Sequence, residues 1–244
     1  VGDLKADGLL YKAAEFYGPV IERASLAERI TLCSMVTEMS GKIGLIQPNG
    51  EILQWLVNRG GEDVRDRVEF MRADEDAQYC EELQFDVTDL EPMLSAPHAP
   101  DNVKKVREVA GTRLDQVHIG SCSNGRFEDI TSAFEILKVA GFQIDPMTRC
   151  IITPATREVM SQCAKAGYID KFLDAGVVFT NPTCSLCTAQ HYGALPAGDV
   201  GMSTTNRNFL GKVGKGSSTF LASPMTAMAS AVRGMITDPR DILG

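Results

Sequence analysis

The sequence predicts an α/β fold built on a mainly parallel sheet, and three observations carry that reading. From residue 117 onward, strand-like runs alternate with helical segments of about 10–15 residues, as βαβ units require. The 244 residues suffice for one large or two modest domains with a substantial buried core. The 44% hydrophobic and 23% charged content is that of an ordinary globular chain.

The chain opens on Val1-Gly2-Asp3-Leu4-Lys5, which is neither a signal peptide nor an initiator-Met start and reads as a cut end. Ser25-Leu26-Ala27-Glu28 has the S-x-x-E form of a capping box and predicts a helix running through Met39. Gly41 and Gly44 close that helix before Leu45-Ile46. Residues 60–91 are charge-rich, with one strand-like alternation at 83–87. Pro92, Pro97 and Pro100 make 92–101 the predicted linker. It divides a partial α/β domain over 1–93, the C-terminal part of a larger unit, from a second α/β domain over 94–244.

In the second domain strands are expected at 117–120, 149–152, 177–180, 200–204 and 219–222. Helices are expected at 127–140, 155–166 and 225–235. Ligands of such sheets gather outside the carboxyl ends of the strands. The loops that matter are therefore 120–128, 181–187 and 205–216.

A formal net charge of -8 counts against nucleic acid or an anionic membrane as the main partner, while leaving room for a locally basic pocket. No apolar run approaches the roughly 20 residues of a membrane span. Seven cysteines are too few for a disulfide scaffold, and an odd number cannot pair completely. A reducing, cytoplasmic compartment is expected. Cys33, Cys80, Cys150 and Cys163 read as small buried hydrophobes. His98 and His118 read as structural, His118 packed on the sheet.

The other three thiols stand at strand ends. Cys122 follows the first strand in Gly120-Ser121-Cys122-Ser123-Asn124-Gly125-Arg126, and Cys184 and Cys187 form a C-x-x-C after the third. Thiols at i and i+3 can share one metal centre, with a third arriving from a neighbouring strand end. Small residues around Cys122 let backbone N–H groups approach an inorganic cluster. Structural zinc wants four ligands, and His191 is a candidate fourth on the helix the motif would open. Spacing by itself leaves an iron–sulfur centre, a zinc or redox site, and an incidental pair all open.

At these residues the sequence resembles the aconitase superfamily. Gly120-Ser121-Cys122-Ser123-Asn124-Gly125-Arg126-Phe127-Glu128-Asp129 is similar to its first cluster-ligand motif, and Pro182-Thr183-Cys184-Ser185-Leu186-Cys187 to its second. Ser203-Thr204-Thr205-Asn206-Arg207-Asn208-Phe209-Leu210-Gly211-Lys212 resembles the substrate loop. Ala14-Glu15-Phe16-Tyr17-Gly18, Glu38-Met39-Ser40-Gly41-Lys42-Ile43-Gly44 and Leu221-Ala222-Ser223-Pro224 also fit, in order, over nearly the whole chain.

The resemblance is greatest to the large subunits of isopropylmalate isomerase, homoaconitase and dimethylmalate dehydratase. It implies a three-layer αβα fold with mainly parallel sheets of aconitase type, in which 94–244 is the cluster-binding domain. It also implies a hydro-lyase that dehydrates and rehydrates a hydroxy di- or tricarboxylic acid such as 3-isopropylmalate or homocitrate. A [4Fe–4S] cluster with one open iron would act as Lewis acid, held by Cys122, Cys184 and Cys187. Glu15 matches a family carboxylate that hydrogen-bonds the hydroxyl or water at that iron, which makes Glu15 and Arg207 the implied catalytic residues. Arg207 and Asn206 would grip a substrate carboxylate, with Asn124 beside the cluster and Lys212 completing the substrate contacts.

Two departures qualify the match. Many family members have arginine where this chain has Lys212, and lysine lacks the bidentate fork. The family's N-terminal His- and Asp-containing motifs, and the swivelling domain that carries a serine base, are not found. The expected partners are a small subunit bearing that domain and a separate N-terminal segment of the large subunit. The alternative from another class is a non-catalytic metal- or RNA-binding protein derived from this fold, against which the acidic balance counts.

Overall fold

The computed structural model of the chain describes residues 1–60, 64–69, 73–188 and 191–244. A short strand β1 (Ala13–Glu15) leads through α1 (Pro19–Arg23) and α2 (Leu26–Met35) to β2 (Ile43–Leu45), which pairs with β1 in parallel. α3 (Gly50–Gly60) and α4 (Val64–Glu69) follow. The second half contributes β3 (Met93–Ser95), β4 (Val103–Lys105), β5 (Gln116–Gly120), α5 (Phe127–Val139) and β6 (Arg149–Thr153). Then come α6 (Arg157–Lys165), α7 (Tyr168–Asp174), β7 (Val178–Phe179), β8 (Val200–Ser203), β9 (Ser218–Ala222), α8 (Pro224–Arg233) and α9 (Arg240–Leu243).

β3 to β9 form one sheet in the order β4-β3-β9-β8-β5-β6-β7. β9, β8, β5, β6 and β7 run parallel to one another, and β3 and β4 add an antiparallel edge next to β9. The α/β class with a mostly parallel central sheet is thus the one the alternation predicts. A parallel strand covered on both faces must bury every residue, and all five residues of β5 are buried.

Val117 and Ile119 of β5, Cys150 and Ile152 of β6 and Met202 of β8 face the main core. α5 packs there against α8, and α8 against β5. α8 can sit that close because Ala227, Ala229, Ser230 and Ala231 give it a slim buried side. Phe134 stacks on Tyr168 with ring centroids 4.0 Å apart and meets Phe172 edge-on at 5.6 Å, joining α5 to α7. The opposite face, where Gln116, His118 and Ile151 point, is covered by the connection between β7 and β9 and a small cluster of Leu186, Leu195 and Val213.

The capping box at Ser25 forms as its sequence requires. Ser25 Oγ accepts from the Glu28 N–H at 3.2 Å, while the Ser25 N–H donates to Glu28 Oε2 at 2.8 Å. The helix it starts tightens into a 3₁₀ turn at Val36–Met39 and stops at Ser40, with φ 63, one residue before the glycine expected to close it. The proline-rich stretch read as a linker is not a free connection. Met93–Ser95 pairs with β9 inside the large sheet, and Leu94 is buried. The alternation at 83–87 forms no strand, because it has no partner ladder; Leu83, Phe85 and Val87 are exposed. Cys150 and Cys163 are buried and Cys33 half-buried as expected, but Cys80 is exposed. Among the described residues no helix is long and apolar enough to cross a membrane.

Candidate functional site

β5 ends in two residues with positive φ, Gly120 (φ 118) and Ser121 (φ 117), which swing the chain sharply outward to Cys122. A Cβ at Gly120 would lie 1.9 Å from the Thr153 carbonyl oxygen, so only glycine fits between β5 and β6 there. A Cβ at Gly125 would lie 2.6 Å from the carbonyl oxygens of Ser121 and Thr153, so the loop closes tightly over the end of β6. Cys122 is left exposed at its tip. Asn124, beside it, donates from Nδ2 to the Thr204 carbonyl (2.6 Å) and accepts at Oδ1 from the Thr31 hydroxyl (2.6 Å). Its amide thus ties the β8 loop to α2.

The C-x-x-C begins five residues beyond β7. Ser185, at φ 41, donates its N–H to Thr183 Oγ1 (2.8 Å), and the Cys187 N–H closes on the Cys184 carbonyl (2.9 Å). The 3₁₀ turn Ser185–Thr188 results. Three residues per turn puts i and i+3 on one side, and so sets an exposed Cys184 beside a half-buried Cys187.

Beneath this turn sits His118. Its Nε2 is 2.9 Å from Ser185 Oγ and 3.2 Å from Thr153 Oγ1, and Thr153 Oγ1 is 2.8 Å from Thr180 Oγ1. Burial lowers the imidazole pKa from its ordinary 6.5 to about 4, so the ring is neutral. The expectation that it packs on the sheet holds, with these bonds in addition.

The loop after β8 supplies the cations. Arg207 Nε donates to Glu38 Oε1 at 2.7 Å; Glu38 is only 8% exposed, whereas the arginine is 48% exposed. Lys212 Nζ donates to the Cys187 carbonyl. Asn206 Nδ2 lies 3.5 Å from Ser123 Oγ, next to Cys122. Asn208, fully buried, pins the loop by donating to the carbonyls of Ala96 (3.0 Å) and Thr219 (3.1 Å). Burial pushes the Cys187 thiol pKa up; Lys212 and Arg207 pull it down, and Cys122 and Cys184 push it up. All four groups are therefore close enough for their charges to reach Cys187.

Glu15 lies elsewhere. On β1 it accepts from the Tyr79 hydroxyl and from Gln47 Nε2 (3.3 Å), and it lines a cleft of about 510 Å³ with Tyr17, Glu22, Arg29 and Glu82. None of Cys122, Cys184, Cys187 and Arg207 lines that cleft. Arg207 is held instead by Glu38, whose place in the Glu38–Gly44 motif does not by itself disclose that contact. A glutamate at the end of an otherwise apolar run was the available signal. His191 is exposed in a bend rather than on a helix. Among the described residues no group of three or more His, Cys, Asp or Glu is placed to hold a single metal ion; this holds for Cys122, Cys184 and Cys187 as it does for any set that would include His191.

The aconitase family (aconitate hydratase) model matches residues 1–113 and 103–234. The 3-isopropylmalate dehydratase large subunit 1 of Methanopyrus kandleri is 42% identical over 99% of this chain and 57% of its own length. The 3-isopropylmalate dehydratase large subunit of Halothermothrix orenii is 40% identical over the whole chain and 57% of its own length. A protein of Methanosarcina mazei named "Probable methanogen homoaconitase large subunit" is 43% identical over 99% of the chain and 60% of its own length. The chain thus spans somewhat over half the length of these curated relatives. With the family model matched from residue 1 to residue 234 and 40–43% identity over essentially the whole chain, this chain belongs to the aconitase family.

Proposed function

We propose that the chain is the cluster-bearing part of a hydro-lyase large subunit that acts on a hydroxy di- or tricarboxylic acid. Cys122, Cys184 and Cys187 would hold a [4Fe–4S] cluster. One observation supports the reading: outside the carboxyl ends of β5, β7 and β8, Cys122, Cys184, Lys212 and Arg207 all lie near enough to Cys187 for their charges to act on it, with Asn206 on the same loop as the two cations. The donor set suits such a cluster. It is all thiolate, two donors share one turn, and the glycine-tight loop at 120–125 leaves backbone free to approach inorganic sulfide. When bound, the cluster supplies an open iron that polarises the C–O bond of the hydroxyl to be lost.

The chain's own residues would bind and orient the acid. Arg207 offers a planar fork that matches a carboxylate, and Glu38 fixes its direction from behind by holding Nε, leaving the remaining guanidinium N–H groups to face outward. Lys212 adds a point charge beside Cys187, and Asn206 adds an amide beside Ser123. Asn124 holds the two loops together rather than offering a free amide. Glu15 would reach the substrate only if the β1 cleft opened toward the thiols.

The relatives named above support 3-isopropylmalate or homocitrate as substrate. Their designation as large subunits supports a small-subunit partner, on which the missing base would lie. Seven unpaired thiols support a reducing, cytoplasmic setting. The non-catalytic RNA-binding reading is not favoured, because these relatives carry enzyme names over the whole chain.

The test is iron and acid-labile sulfide content after oxygen-free reconstitution, on the wild type and on Cys184→Ser. About four of each per chain is expected in the wild type, and neither in the variant, with the far-ultraviolet dichroism of the α/β core retained. Full iron content in Cys184→Ser would contradict the ligand set, and a wild type that takes up no iron or sulfide would overturn the reading.

A further inference from the structure

A buried polar cluster under the C-x-x-C turn is used by neither the ligands nor the substrate loop. His118 occupies a position on β5 whose neighbours on the same face are built to be covered: Ile151 on β6 is buried, as is Leu186 in the turn above. An apolar side chain would fill such a place without having to pair polar atoms. The imidazole instead leaves Nδ1 without a hydrogen-bond partner among the described residues, a cost to folding that an apolar residue would not incur. What the ring gains is on its other side. Nε2 reaches Ser185 Oγ at 2.9 Å and Thr153 Oγ1 at 3.2 Å, and Thr153 passes the contact to Thr180 at 2.8 Å.

These four residues come from β5, the end of β6, the segment after β7 and the C-x-x-C turn itself. Ser185 lies between Cys184 and Cys187 in a left-handed conformation, φ 41, that a serine seldom adopts unless its surroundings hold it. His118 on β5 also lies four residues before Cys122, in the loop that follows that strand. One ring therefore ties the pair of thiols to the strand that delivers the third.

We propose that His118 is a positioning residue for the cluster thiolates, setting the height and tilt of the C-x-x-C turn through Ser185 so that Cys184 and Cys187 meet Cys122 around one group. The inference rests on the proposed [4Fe–4S] reading. It concerns only how the ligands are held, and assigns the ring no contact with substrate or iron.

Three variants of the full chain test it: Ser185→Ala, His118→Phe and His118→Gln, reconstituted without oxygen beside the wild type. The readouts are iron and sulfide per chain, the rate of iron loss on exposure to air, and the electron paramagnetic resonance spectrum of the air-oxidised cluster. Ser185→Ala and His118→Phe should lose iron about five- to tenfold faster, as expected for one lost buried hydrogen bond, and show a changed or broadened spectrum. His118→Gln, whose amide can still reach Ser185, should restore much of the wild-type rate. The urea midpoint of cluster-free Ser185→Ala should fall only slightly, by the one hydrogen bond removed; the changed spectrum, restored in His118→Gln, is the readout that a merely structural role would not move. Should His118→Phe fail to fold, Ser185→Ala decides alone. Wild-type rate and spectrum in Ser185→Ala would overturn the positioning role while leaving the ligand assignment intact. A wild type that loads no cluster would overturn both.

Discussion

Lowering the pH from about 7 to about 4 is expected to cost the folded chain about 3 kcal/mol through His118. The imidazole is fully buried, and burial lowers its pKa from 6.5 to about 4. In the unfolded chain the same ring titrates near 6.5. Between the two values the unfolded state binds a proton that the folded state refuses, so stability falls as the pH falls. The contribution is complete above 6.5, declines through the interval, and changes no further once both states are protonated below 4. The interval is 6.5 − 4 = 2.5 pH units, each equivalent to about 1.4 kcal/mol.

Asp129 works in the opposite direction. Its carboxyl pKa is pushed up to about 6, first by burial, against the usual 3.8. The folded state therefore keeps a proton there that the unfolded state releases, and this group's contribution grows as the pH falls from 6 toward 3.8. The wild-type profile alone mixes the two effects. The clean quantity is the difference in urea unfolding free energy between wild type and His118→Gln, in which Asp129 cancels. The variant should gain on the wild type by about 3 kcal/mol between pH 6.5 and 4, with a slope of no more than about 1.4 kcal/mol per pH unit. Parallel profiles would refute the burial argument for His118.

Gly120→Ala should displace the Cys122 loop, since the new Cβ would meet the Thr153 carbonyl at 1.9 Å with φ at 118. A loss of roughly 2–4 kcal/mol in urea unfolding is expected, and a midpoint equal to the wild type's would show that the strand ends can part freely. Glu38→Gln removes the charge that holds Arg207. On the proposed function, KM for the hydroxy acid in the enzyme assembled with its partner should rise about tenfold with little change in kcat, the pattern of lost uniform binding; an unchanged KM would separate Arg207 orientation from substrate binding.

The sequence by itself determined those features whose causes lie within a few residues. The capping box at Ser25, the strand-to-helix alternation from 117 to 233 and the i, i+3 thiols of the C-x-x-C each depend on neighbours three or four positions away. The two strand-end thiol sites were legible for the same reason, because Cys122 lies two residues past β5 and Cys184 five residues past β7. What the tertiary structure alone decided is pairing across long separations. Met93–Ser95 reads as a proline-rich connector until β9 offers it a ladder, and the better-patterned 83–87 remains without one. Glu38 finds Arg207 across 169 residues, whereas Glu15, equally acidic and in an equally suggestive motif, is turned into a separate cleft. His118 reads as any strand histidine until Ser185 is folded onto it across 67 residues. A hydrophobic period records which face of an element is buried, but not which polar groups will lie opposite once it is. That choice is made by strand order and loop closure, and so the partners of the thiols appear only in three dimensions.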